Sequence, residues 1–367
     1  MAGVKIWTDD GKGIDLRRVV RSRAPLRIGL AGGGTDLPIF FEQAGGVVVN
    51  CAIDRYAYCT VSAHRGEGLL CFEDLMNGIS WEGNMKPQPP RHGFEIPYHS
   101  HGYLVETFAL CSSQSLKISF YCEAPPGSGL GGSSALCVAI LKALSGWYEI
   151  NLEGDALAKA AILVERELCG FSGGWQDQYS ASFGGINKFI FHKDRSVSVD
   201  PILADSGIIN EFESSLILVD TGMSRNSADI IDSQLAGVRQ RASDSLAAFY
   251  AMKEEAITVD RAIRNGDFST LRLAIRAGWE NKLKTSNMIM NDQISKVFGV
   301  CESIGLFVGK VSGAGGGGFA WLLVNPEERF RFVEMLGSRG FTATSPRITD
   351  RNAHAWEALT KGDQLYL

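Results

Sequence analysis

Several features that would place a chain quickly are missing from these 367 residues. No C-x-x-C pair occurs. The eight cysteines stand apart at 51, 59, 71, 111, 122, 137, 169 and 301, mostly in apolar runs, as small buried residues of a reducing compartment do. No apolar stretch reaches membrane-spanning length, and Met1 to Asp15 carries acids and glycines where a signal peptide has an apolar core. These absences predict a cytoplasmic protein with no membrane partner. No basic run stands out and the formal net charge is −5, which argues against nucleic acid as a partner. Short-period repeats and low-complexity linkers are also absent. What remains is ordinary: 45% hydrophobic and 21% charged residues suffice for a full core, and the length suits two domains best.

The first third reads as strands and turns, with short apolar or alternating segments at Leu26–Leu30, Val47–Val49 and Tyr56–Ser62. The spacing predicts helices over Pro97–Leu110, over Ala135–Trp147 after a strand at Leu116–Tyr121, and over Asp155–Cys169. In the last of these Leu157, Ala161, Val164 and Leu168 fall on one face, with Glu165 and Arg166 off it. The second half begins with a buried strand, Ser215–Asp220. Ser227–Ala256, Val259–Lys284 and Gln293–Ile304 read as mostly helical, Glu327–Gly337 as a further helix and Thr342–Thr349 as a last strand. The polar stretch around Asp205–Glu213 is the best boundary. It predicts an α+β chain in two halves, 1–205 and 206–367.

The most informative stretch is Pro126-Gly127-Ser128-Gly129-Leu130-Gly131-Gly132-Ser133-Ser134, between the 116–121 strand and a helical run. A glycine-rich loop at a helix start turns several N–H groups toward one point, where the helix dipole adds positive charge. Its serine hydroxyls can ligate a hard cation such as Mg²⁺. The pattern suggests nucleotide-dependent phosphoryl transfer. It is not a P-loop, because it lacks a Gly-Lys-Ser/Thr ending. Gly127, Gly129 and Gly132 do make a formal G-x-G-x-x-G with Glu149 at a ribose-acid distance, so a nicotinamide oxidoreductase is the reading from another class. A Rossmann unit does not call for Ser133-Ser134, and Pro125-Pro126 fits its tight turn poorly.

Three further segments accompany the loop: Arg23-Ala24-Pro25-Leu26-Arg27 with Gly32-Gly33-Gly34-Thr35-Asp36; Glu165 with Gly173-Gly174-Trp175-Gln176-Asp177-Gln178; and Lys310 to Phe319 with its glycine cluster. Together they resemble, in order, the signature motifs of the galactokinase, homoserine kinase, mevalonate kinase and phosphomevalonate kinase superfamily, over about residues 23 to 319. Within it the wording, including Thr221-Gly222-Met223-Ser224-Arg225, is most similar to the D-glycero-D-manno-heptose 7-phosphate kinases. Fucose-type sugar 1-kinases share much of it. Galactokinases have Glu-His-Thr-Asp where this chain has Gly33-Gly34-Thr35-Asp36.

The resemblance implies a two-domain fold with the active site in a cleft, and ATP and Mg²⁺ as cofactors. The 126–134 loop would wrap the ATP phosphates. Ser134 and Glu165, which stands twelve positions before Asp177, would hold the metal. Asp177, read as lying on a turn after two glycines, would face the acceptor hydroxyl, with Arg27 as the cation beside it. Asp36 would accept hydrogen bonds from sugar hydroxyls, or else cap the helix starting near Leu37-Pro38. Thr35, Gly174, Gly315 and Gly316 complete the implied substrate side. Arg225 is the first candidate for clamping a substrate phosphate; Lys282 and Lys284 are weaker candidates that read otherwise as ordinary solvated helix lysines. The implied partner is a small sugar phosphate, and a homodimer is an open expectation. A non-catalytic sugar-binding relative would lack some of Asp177, Glu165 and Ser134, and all three are present. His92, His99 and His101 show no third ligand at metal spacing. Trp147, Trp175 and Trp279 are expected in the core.

Overall fold

The computed structural model describes residues 5–7, 13–15, 18–84, 93–110, 114–223, 227–239 and 243–358. The first strands, β1 (Lys5–Trp7) and β2 (Gly13–Asp15), pair with each other as a separate antiparallel unit. The apolar segments at 26–30, 47–49 and 56–62 belong to two long strands, β3 (Val19–Ala31) and β4 (Gly46–Glu67), with the short helix α1 (Pro38–Ala44) between them. β4 is shared between neighbours. Its first residues pair with β8 (Ile186–Phe191), and its second half with β7 (Gln114–Cys122). β5 (Leu69–Asp74), β6 (Ile79–Asn84) and β9 (Val197–Pro201) extend the sheet, in which β5–β7 is the parallel pair.

Alternation along β4 feeds two cores. Val48 joins Trp175, Tyr179 and Phe189, whereas Val47 and Val49 join Ala256 and Val259. After α2 (Glu95–Thr107), the helix α3 (Gly132–Trp147) is buried on nearly every face and packs on β3 and β4. A helix apolar all round belongs inside a core, so the glycine loop that precedes it rests on a rigid mount. α4 (Gly154–Ile162) and α5 (Gln176–Phe183) complete this half.

Asp205, inside the expected boundary, caps α6 (Ser206–Ser215) by accepting from Gly207 N at 2.7 Å. The chain then enters a second antiparallel sheet. Its strands are β10 (Leu216–Asp220), β11 (Phe307–Val311), β12 (Phe319–Val324) and β13 (Thr342–Thr344), in the order β11-β12-β10-β13. The helices α7 (Ser227–Arg239), α8 (Ser243–Asn265), α9 (Phe268–Leu283), α10 (Asp292–Ile304) and α11 (Arg329–Ser338) accompany it. β12 is buried throughout. Ala320, Leu322 and Val324 face the second core, while Trp321 and Leu323 face the first. The last strand, β14 (His354–Glu357), returns to pair with β3, and α8 packs on β3 and β4. The sequence showed no strand at 354–357, because four residues give alternation too little length to register. Among the described residues no helix is long and apolar enough to cross a membrane, and the seven described cysteines are free.

Candidate active site

Where the halves meet lies a cavity of about 680 Å³, within the usual size for a small-molecule site. The first half contributes the glycine loop, Arg27, Asp36, Glu165 and Asp177, and the second contributes Gln234, Lys282, Gly313 and Ala314. The loop's form follows from its glycines. Gly129 has a φ of 74°, and a Cβ there would stand 2.5 Å from the Ser312 carbonyl oxygen. That approach locks the loop against the Gly313–Gly318 turn, where Phe319 N donates to Ser128 O at 2.8 Å. Gly131 is the left-handed N-cap of α3, which has no side-chain cap, so the first N–H groups of the helix are left for a ligand. Pro126, Gly127, Ser128, Gly129, Gly131, Gly132, Ser133 and Ser134 all line the cavity. Leu130 does not. It is fully buried, and its carbonyl accepts from Arg27 N at 3.0 Å, so it anchors the loop.

Glu165 lies against the start of α3. The helix expected over 155–169 is regular only to Ile162, and Leu163–Leu168 forms a π-helical turn, with Cys169 N donating to Val164 O at 2.9 Å. The wider turn shifts the helical phase of its own residues. Leu168, expected on the apolar face, is 43% exposed, and Glu165, expected off it, is 2% exposed. Such turns recur at functional sites. The Glu165 carboxylate accepts from Ser133 Oγ (2.8 Å), Ser134 Oγ (2.6 Å) and Gln178 Nε2 (2.6 Å). Arg166 Nη1 stands 3.5 Å away. Both serines, not Ser134 alone, meet this carboxylate. A carboxylate and two hydroxyls form an all-oxygen donor set, which is what a hard dication takes.

Asp177 sits in the first turn of α5 rather than on a loop. There the N–H groups and dipole of the helix favour an anion. Arg27, 150 residues away in sequence, donates from Nε to Asp177 Oδ1 at 2.7 Å, with Nη2 at 2.5 Å. Its Nη1 donates to Gly129 O at 2.5 Å and to Ser312 Oγ at 3.4 Å. The cation the sequence left buried in a strand therefore joins the glycine loop, the second glycine turn and Asp177. Asp177 keeps 20% of its side chain exposed toward the cavity, while that of Arg27 is 4% exposed.

Asp36 is not a helix cap, since α1 starts at Pro38 with Leu37 as N-cap and no side-chain cap. Its carboxylate accepts from Gly34 N (2.9 Å), Gln176 Nε2 (3.0 Å) and Gln176 N (3.1 Å). Burial raises the Asp36 pKa above the usual carboxylate range. The nearby Asp177 charge adds to this, and the backbone donors of Gln176 and Gly34 oppose it. Gly174 leaves room for this carboxylate. Gln176 is a site residue the sequence reading passed over.

Other expected residues lie elsewhere. Thr35 is fully buried. Its hydroxyl shares its one hydrogen between Gly32 O and Val47 O and accepts from Val47 N, so it ties the loop after β3 to β4 and does not line the cavity. Gly315 and Gly316 pack against Ile289, outside the cavity lining. Arg225 and His92 lie outside the described residues. His101 is buried and bonded to the Tyr148 hydroxyl at 2.9 Å, and burial pulls its pKa down to about 4. Trp147, Trp175 and Trp279 are core residues, as expected.

The two lysines expected as weaker phosphate candidates separate in the structure. Lys284 is bonded at the surface to Asn281, but Lys282 is 4% exposed, lines the cavity and donates to the Gly313 carbonyl. Burial, then the Arg27 charge, lowers its pKa to about 8, against the pull of Asp36 and Asp177. Lys310, also buried, donates to Leu30 O at 3.4 Å. Burial and the Lys282 charge lower its pKa to about 7. A signal for Lys282 was present: Leu271, Ile275, Trp279 and Lys282 share one helix face, and all are buried.

Residues 98–185 match the family described as GHMP kinases N terminal domain, and 261–341 the GHMP kinases C terminal family. A D-glycero-alpha-D-manno-heptose 7-phosphate kinase of Campylobacter jejuni is 33% identical over 92% of this chain and 99% of its own. Among solved structures, one titled a D-glycero-D-manno-heptose 1-phosphate kinase from Bacteriodes thetaiotaomicron is 31% identical. It superposes with a TM-score of 0.78, covering 93% of this chain and all of that one. A structure titled a putative sugar kinase from Campylobacter jejuni is 29% identical with a TM-score of 0.76, over 94% of this chain and all of its own. The oxidoreductase reading falls away, since similarity this extensive on both halves leaves the G-x-G-x-x-G as part of a kinase loop: the chain belongs to the GHMP kinase family.

Proposed function

We propose that the protein transfers the γ-phosphoryl group of ATP to the anomeric hydroxyl of D-glycero-D-manno-heptose 7-phosphate, giving the 1,7-bisphosphate. The observation that carries the transfer is the Arg27–Asp177 pair, set between the glycine loop and Asp36. The choice of sugar rests on the likeness to the Campylobacter relative. In this reading Asp177 orients the acceptor hydroxyl and takes its proton as the new O–P bond forms and the bond to the β-phosphate oxygen breaks. Arg27 holds the Asp177 carboxylate in place and offsets charge on the transferring group. Asp36, fixed by neutral donors, accepts from ring hydroxyls through its remaining lone pairs.

Ser133, Ser134 and Glu165 would hold Mg²⁺, whose chemistry there is to neutralise phosphate oxygens. The sequence of Gly222–Ser227, rich in donors, makes Arg225 the first candidate for the far phosphate of the sugar. The same reading divides the chain at 205/206, because α6 leads directly into the second sheet, and takes the reaction to be cytoplasmic. The test is ADP release over free and phosphorylated sugars. Heptose 7-phosphate should exceed heptose and fucose by at least about tenfold in kcat/KM, the weight of one charge-assisted contact. Equal rates on heptose and heptose 7-phosphate would replace this reading with a general sugar 1-kinase.

A further inference from the structure

Lys282 is a buried charge that meets no opposite charge. Among the described residues it makes no ion pair, and its one hydrogen bond runs to the Gly313 carbonyl. The two carboxylates that attract it are committed elsewhere. Asp177 is held by Arg27, and Asp36 by three N–H donors. Arg27 itself repels it. A desolvated ammonium without a partner is costly, and natural chains keep such a cost where a ligand completes the site. Its position says which ligand. Gly313 abuts Gly129 of the glycine loop, so the ammonium lies at the seam between that loop and the Arg27–Asp177 pair, on the cavity wall. Lys310 does not compete for the role, because it stands behind the wall against the Leu30 carbonyl.

We propose that Lys282 is a substrate-contacting residue whose ammonium binds a phosphate oxygen in the cleft. The proposal rests on phosphoryl transfer taking place there, not on the identity of the sugar. The phosphate belongs either to the nucleotide or to the acceptor, and these sources separate by experiment. Without ligand, Lys282 stays protonated at neutral pH and loses its proton near pH 8. A bound dianion holds the proton on, so the phosphate affinity of the free enzyme falls on the alkaline side of that value.

Lys282→Met and Lys282→Arg are compared with the unmutated enzyme by melting temperature and by calorimetric titration of inorganic phosphate, ADP and sugar phosphate. Lys282→Met should melt at or above the unmutated protein, since a buried charge is gone. It should bind the phosphate species Lys282 contacts at least about tenfold more weakly. Loss confined to ADP assigns the nucleotide, and loss confined to the sugar phosphate assigns the acceptor. Lys282→Arg should recover part of the affinity. A Met variant that melts well below the unmutated protein and binds all three ligands normally shows a purely structural lysine and overturns the proposal. Unchanged affinities at an unchanged melting temperature overturn it too. Should heptose 7-phosphate prove not to be a substrate, the phosphate and ADP titrations still decide the role of Lys282.

Discussion

The sharpest perturbation available is one methyl group at Gly174. An ideal Cβ there would stand 1.9 Å from Asp36 Oδ2 and 2.4 Å from its Cγ, about 1.5 Å short of an ordinary contact. Asp36 cannot yield freely. It is 1% exposed and held at 2.9, 3.0 and 3.1 Å by Gly34 N, Gln176 Nε2 and Gln176 N. Moving it breaks at least one hydrogen bond to a buried charged group, a loss of about 2 kcal/mol. Misplacing a positioning group by about 1 Å costs on the order of 10²-fold in rate. Gly174→Ala should therefore lower kcat/KM for the sugar acceptor about a hundredfold, with the melting temperature falling by a few degrees. The KM for ATP should hardly change, because Asp36 makes no hydrogen bond to the 126–134 loop. Combined with Asp36→Asn, the alanine should add much less than its separate effect, since both act on one carboxylate. Steady-state kinetics with each substrate varied, beside thermal melting, reads all of this. Normal acceptor kinetics in Gly174→Ala would refute the idea that Asp36 must hold that place.

Asp177→Asn should lower kcat by on the order of 10²–10⁴ with ATP affinity little changed, and near-normal turnover would remove Asp177 from the proton transfer. Glu165→Gln should raise the Mg²⁺ concentration needed for half-maximal rate; an unchanged Mg²⁺ profile would count against Glu165 as a ligand. Lys310, with its folded-state pKa lowered to about 7, penalises the fold fully below that pH, and the penalty fades as pH rises toward the unfolded value. Lys310→Met should therefore gain most over the unmutated protein near pH 7 and least near pH 10 in melting experiments. A difference that does not vary with pH would mean that Lys310 does not titrate in this range.

Much of the site could be read without coordinates. The 126–134 loop, the Gly173-Gly174 turn and the 313–318 cluster need backbone that only glycine supplies cheaply, so their demands are written in residue type. Helix positions such as Ala135 to Trp147 came from local periodicity for the same reason. The sequence also named Arg27, Asp36, Glu165 and Asp177 as candidates, yet their partners came only with the fold. Arg27 meets Asp177 across 150 residues, and Glu165 turns inward because a π-turn breaks the regular phase it was read in. Thr35 and Gly316 sit in motifs beside true cavity residues, but face β4 and Ile289 instead. Lys282 and Lys284 were equal, weaker phosphate candidates in the sequence, and only the fold separated the buried Lys282, set against Gly313, from the surface Lys284. Turn chemistry and helical phase are properties of neighbours in sequence, so sequence determined them. Whether a charge is buried, paired or left facing a cavity depends on neighbours in space, brought together from both halves of the chain, and only the tertiary structure decided that.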